Sequence, residues 1–149
     1  MSTGTLIIVK ESAAFLGNPT LARQIHPTVR KAAGFMHSNL QRKLRLDELA
    51  RETKLSSSRF SHLFKNRAGV SPAQYLKSIR LQRAKDLLEG SSLSIKEVAS
   101  RVGLNPSRLI RGFKEAYGLT PLQYRLQHRF GGFESDLLSA ENGAGTGWT

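Results

Sequence analysis

Apolar side chains recur at helical spacing in two stretches that lie 49 residues apart, with polar side chains on the opposite positions. In Ser58-Arg59-Phe60-Ser61-His62-Leu63-Phe64-Lys65 the residues Phe60, Leu63 and Phe64 fall at i, i+3 and i+4 and make one apolar stripe. Ser58, Ser61, His62 and Lys65 fall at i, i+3, i+4 and i+7, and all are polar. The second copy is Ser107-Arg108-Leu109-Ile110-Arg111-Gly112-Phe113-Lys114. Leu109 and Phe113 keep the apolar stripe there, and Ser107, Ile110, Arg111 and Lys114 take the outer one. Two short helices with buried backs and readable fronts predict a pair of DNA-reading elements.

The elements around them follow from the same pattern. Val29, Ala32, Ala33 and Met36 predict a helix from about Pro27 to Asn39, with Pro27 in its first turn. Leu46–Thr53 reads as a short helix with Asp47 and Glu48 at its start, and a hydroxyl of Leu55-Ser56-Ser57 caps the first reading helix. That helix stops at Gly69, and Ser71-Pro72-Ala73-Gln74 combines an N-cap, a first-position proline and a capping glutamine. The helix it opens runs to about Leu88. Tyr75, Leu76, Ile79, Ala84, Leu87 and Leu88 are read as its apolar side, and Gly90 as its close. A capping box at Ser94-Ile95-Lys96-Glu97 opens another short helix to about Arg101, Asn105 caps the second reading helix, and a last helix runs from Pro121 to about His128. Residues 1–26 are read as an arm with a short strand at Thr5–Lys10 as its one candidate element. Residues 131–149, with five glycines, are read as a flexible tail.

Setting 46–80 against 95–129 gives 12 identities in 35 positions. Leu55/Leu104, Phe64/Phe113, Gly69/Gly118, Pro72/Pro121 and Tyr75/Tyr124 are core, turn or cap positions, whereas Ser61/Ile110 and His62/Arg111 on the outer stripe diverge. A shared scaffold with a changed front implies two modules of one fold that read different sequences. The expected architecture is all-α, with a first helix-turn-helix unit over 27–70, a linker helix over 71–90 and a second unit over 91–130.

Charge sharpens that picture. Of 23 Lys and Arg and 11 Asp and Glu, 22 bases and seven acids lie in 23–129, a net +15, while 130–149 carries three acids and no base. A compact cationic body attracts polyanions. Its bases are spread over several short helices, unlike a membrane-surface helix, and no run approaches the roughly 20 apolar residues of a bilayer span. The absence of cysteine excludes disulfides, thiolate metal sites and a cysteine nucleophile, in keeping with a cytoplasmic protein that lacks a secretory signal.

Each outer residue has a role in such a scheme. Arg111 can take guanine O6 and N7 together, and His62 can donate to guanine or to phosphate. Ser58, Ser61 and Ser107 are short hydrogen-bonders that permit close approach. Ile110 fits a thymine methyl; the alternative puts it in the core. Arg59, Lys65, Arg67, Arg108 and Lys114 suit phosphates, which set register and supply salt-sensitive affinity, against the plain alternative of a solvated surface. Gly112 costs about 1 kcal/mol inside a helix, for which close packing on a neighbouring helix is one explanation. His26, His37, His62 and His128 have no paired metal-ligand spacing, no phosphate-binding Gly-Lys loop occurs, and Ser58 and Ser61 near His62 lack an orienting acid. No cofactor and no catalytic activity are expected.

These residues resemble the AraC/XylS family of bacterial transcription regulators over about Val29–Arg129. The stretches that carry the likeness are Leu55–Lys65 with Gly69-Val70-Ser71-Pro72, then Arg80-Leu81 with Ala84-Lys85 and Leu87-Leu88, then Ile95 with Glu97-Val98-Ala99 and Gly103. Phe113-Lys114, Gly118-Leu119-Thr120-Pro121 and Tyr124-Arg125 complete it. The sequence departs in having Leu104 where an aromatic usually follows Gly103, and in a second turn one residue shorter than the commonest form. The resemblance implies seven helices, two helix-turn-helix units on one linker helix, and reading helices in successive major-groove faces about 34 Å apart. It places base contacts at Ser58, Ser61, His62, Ser107 and Arg111. The expected function is sequence-specific binding of double-stranded DNA and regulation of transcription, as an activator that also touches RNA polymerase and binds DNA as a monomer near the nucleoid. Two alternatives stand: the output part of a larger ligand-sensing regulator, since 149 residues leave no room for a sensing domain, and a nonspecific basic nucleic-acid-binding protein.

Overall fold

The computed structural model describes residues 25–129, which form seven helices and no strand. They are α1 (Pro27–Ser38), α2 (Leu46–Glu52), α3 (Ser57–Ala68), α4 (Pro72–Gly90), α5 (Ile95–Arg101), α6 (Pro106–Tyr117) and α7 (121–129). The strand expected at Thr5–Lys10 and the tail at 131–149 lie outside the described residues.

Local chemistry accounts for where the helices begin and end. The Ser56 hydroxyl accepts from the Arg59 amide at 3.3 Å and the Asn105 side chain from the Arg108 amide at 2.8 Å, so each reading helix opens on a side-chain cap. Reciprocal capping boxes open α4 through Ser71 and Gln74, and α5 through Ser94 and Glu97. Thr120 and Gln123 repeat the device at α7. Gly69 and Gly118, both at φ 80°, close α3 and α6 in the left-handed conformation that glycine adopts without strain. Gly90 is the final residue of α4, and the cap falls on Ser91.

Two hydrophobic clusters hold the helices together. The first gathers Met36, Leu49, Ala50, Phe60, Phe64 and residues around them; the second gathers Leu88, Val98, Ala99, Val102, Leu109 and Phe113. The internal repeat is visible as geometry. Phe64 meets Tyr75 edge-on at 5.5 Å between ring centres, and Phe113 meets Tyr124 edge-on at 5.4 Å.

α4 departs from the sequence reading. Its apolar residues do not share one side: Tyr75 and Ile79 enter the first cluster, and Leu81, Ala84 and Leu88 the second. At about 100° per residue the two groups face roughly opposite directions. The helix turns one face to each core because the cores lie on either side of it.

Candidate nucleic-acid interface

The two turns place the reading helices in the same register. With Ser56 and Asn105 as caps, Ser58 and Ser107 each occupy the second helical position, and His62 and Arg111 stand at equal distances from their caps. Burial of Phe60 and Phe64 on α3, and of Leu109, Gly112, Phe113 and Ala116 on α6, turns the opposite stripes outward.

On α3, Ser58 and His62 are exposed and Ser61 is half-buried. With Lys65, Ser57 and Leu46 they line one open cleft along the helix. On α6, Ser107 and Arg111 are exposed, and Ile110 keeps 42% of its surface open. Ile110 therefore lies outside the core, which removes one of its two readings. Arg59, Lys65, Arg67, Arg108 and Lys114 are all exposed.

Ion pairs take up some of the cations outside the two reading helices. Arg42 binds Glu48 at 2.8 Å, Arg45 binds Asp47 at 3.2 Å, and Lys77 binds Glu115 at 3.2 Å. Among the described residues no carboxylate pairs with Arg59, His62, Lys65, Arg67, Arg108, Arg111 or Lys114. The positive charge on α3 and α6 is left available to an outside anion.

Two residues outside the candidate set border the same cleft. Leu46 reads as apolar backing of α2 but is 42% exposed beside Ser58 and His62, and Ser57 lines the same cleft. Position 95, its counterpart in the repeat, is Ile and packs on the second cluster, so the pattern gave no signal for Leu46. Gly112 does sit against α4: a Cβ there would lie 3.4 Å from Leu81 Cδ2 and from Lys77 Cε. Among the described residues no three of His, Asp and Glu converge to hold a metal ion, and no helix is long and apolar enough to cross a membrane.

Comparison with known proteins bears on the whole arrangement. A family described as a helix-turn-helix domain matches residues 49–140. The HTH-type transcriptional regulator GbdR of Pseudomonas aeruginosa is 38% identical over 74 residues, which are 50% of this chain and 20% of that protein. The match thus spans about a fifth of the relative's length. Among solved structures, the C-terminal domain of AraT, a response regulator from Geobacillus stearothermophilus, superposes with a TM-score of 0.66 at 31% identity, covering 69% of this chain and 87% of that one. The DNA-binding domain of AdpA, a global transcriptional factor solved with a target DNA, gives 0.66 at 28% identity, covering 70% and 95%.

Proposed function

The chain belongs to the AraC-type helix-turn-helix family, and from that premise we propose that α3 and α6 enter the major groove of one double-stranded DNA site and that the chain regulates transcription. The observation that carries the reading is the pair of exposed, unneutralised fronts in equal register on two helices whose backs fill two cores. The AdpA domain, whose structure holds a target DNA, supports it.

The roles divide by chemistry. Arg111 reads a guanine through a bidentate pair, His62 and the three serines Ser58, Ser61 and Ser107 donate or accept at base edges, and Ile110 covers a thymine methyl. Leu46 lies against sugar at the edge of the same groove. Arg59, Lys65, Arg67, Arg108 and Lys114 take phosphates, and five such contacts give a salt slope of about −4.5. The regulatory sign is activation, with a contact to RNA polymerase, and the chain acts as a monomer near the nucleoid. The functional units are 27–70 and 91–130 on either side of the linker at 71–90. A second reading has this chain as the output part of a longer ligand-sensing regulator; the aligned region's being a fifth of GbdR favours it.

Selection of bound duplexes from a random pool, followed by affinity for the winner and for scrambled DNA across salt, tests the proposal. The expected result is a bipartite consensus with half-sites about 34 Å apart, bound at least about a thousandfold tighter than scrambled DNA. Equal affinity for every duplex with the same steep salt dependence overturns it in favour of a nonspecific DNA-coating protein.

A further inference from the structure

Both turns that precede a reading helix pass through the left-handed region, at Lys54 (φ 58°) and at Gly103 (φ 76°). The two residues occupy the same position of the repeat. Since lysine holds that conformation in the first turn, positive φ alone does not explain the glycine in the second. Space does. A Cβ on Gly103 would lie 2.1 Å from the carbonyl oxygen of Leu40 and 3.2 Å from a terminal nitrogen of Arg80. No side-chain carbon fits that close to a backbone oxygen.

Leu40 belongs to the loop between α1 and α2, in the other helix-turn-helix unit. The loop backbone therefore sits directly on the second turn. Arg80, near the middle of α4, closes the contact: its Nη2 donates to the Arg42 carbonyl at 2.9 Å. Its Nε is buried with no acceptor among the described residues. Burial pulls the Arg80 pKa down from its usual value, and an arginine stays cationic regardless.

The loop between α1 and α2 also shares a cleft with Arg83 of α4 and Arg101 of α5. Helix pairs in close contact lie within one unit or include α4.

We infer that the loop carbonyls of Leu40 and Arg42, the Arg80 guanidinium and Gly103 form a strut that locks the two units at one angle and so dictates the half-site spacing the chain accepts. The inference rests on the two-headed reading of DNA above. Adding one base pair between half-sites shifts the second by about 3.4 Å and rotates it by about 35°. A rigid pair of reading helices cannot follow that displacement, whereas a hinged pair can.

The test has a part without DNA. The chain contains no cysteine, so Glu52→Cys on α2 and Lys96→Cys on α5, both exposed, accept spin labels cleanly. Double electron–electron resonance on the free protein is expected to give a narrow distance distribution, and adding Arg80→Gln to broaden it. In the second part the unlabelled parent and Arg80→Gln are titrated against duplexes whose half-site spacing changes one base pair at a time. The parent should prefer one spacing by at least about tenfold, and Arg80→Gln should reduce that preference to within about threefold, with base preferences inside each half-site unchanged. Gly103→Ala should act in the same direction; if it fails to fold, Arg80→Gln decides. An unchanged distance distribution overturns the strut. Broadening with the parent's spacing preference intact overturns its role in site selection. A parent with no bipartite preference sinks the two-headed reading itself, and the distance measurement then judges the strut alone.

Discussion

Ile110 is the residue whose assignment makes the sharpest quantitative demand. Full burial of an isoleucine side chain is worth about 1.5–3 kcal/mol. The free protein leaves 42% of Ile110 exposed, so covering the remainder on DNA adds roughly 0.6–1.3 kcal/mol, or about three- to ninefold in Kd. Ile110→Ser should weaken binding to the selected site by that factor. More than half of the residue is already covered by the fold, so a thermal melt is needed to show that the variant remains folded at the assay temperature. The decisive comparison removes the partner instead. Replacing one thymine at a time by deoxyuridine deletes a single methyl, worth about 0.8 kcal/mol when buried, or about fourfold. In a double-mutant cycle read by fluorescence anisotropy at constant salt, one thymine should cost the parent about fourfold and cost Ile110→Ser nothing. If deoxyuridine weakens both proteins equally at every position, Ile110 does not touch a thymine methyl and its exposure has another cause.

Three further results are expected. Arg111→Ala should cost about 1–3 kcal/mol and relax selectivity at one base pair, while Lys65→Ala should weaken all duplexes alike and lower the salt slope by about 1; equal loss on specific and random DNA for Arg111→Ala removes its base-reading role. Gly112→Ala should stabilise the fold by up to about 1 kcal/mol in denaturant melts, because a Cβ at 3.4 Å from Leu81 and Lys77 is an ordinary contact and glycine is a poor helix former. Gly112→Leu, which copies Leu63 of the first unit, should instead push α6 off α4 and destabilise it. The Tyr117 hydroxyl is buried with no partner among the described residues. Burial, then the charges of Asp86 and Glu89, push its pKa up to about 12 from 10.0. The fold therefore favours the neutral phenol, and stability should fall as pH rises from about 10 to about 12. Tyr117→Phe should stabilise by about 1 kcal/mol at neutral pH and flatten that decline in melts. A decline remains from Tyr124, raised by burial and by its hydrogen bond to Glu89. An undiminished slope refutes the assignment.

Much of the site is legible in the residues because its causes are local. Ser56, Ser71, Ser94 and Asn105 cap helices three residues ahead of their partners, so α3 to α6 are opened by neighbours in the chain, and Gly69 and Gly118 end α3 and α6. The repeat adds a second signal, since Phe64 and Phe113 can both be buried only if Ser58, His62, Ser107 and Arg111 point away from the cores. What escaped is equally particular. Leu46 has the pattern of a core residue yet stands open beside His62, and Ile110 was ambiguous until its exposure was known.

By itself the chain's order of residues determined the helices, their caps, the two-fold repetition and the polar fronts, because each depends on contacts within about one turn of helix. Tertiary structure alone decided how the two units are mounted. Opposite faces of α4 are claimed by different cores, the Leu40 carbonyl occupies the space that a side chain at Gly103 would need, and Arg80 bridges to the Arg42 carbonyl. Those contacts join residues far apart in the chain. Their existence depends on how two finished cores settle against one helix, a relation that no periodicity along the sequence encodes.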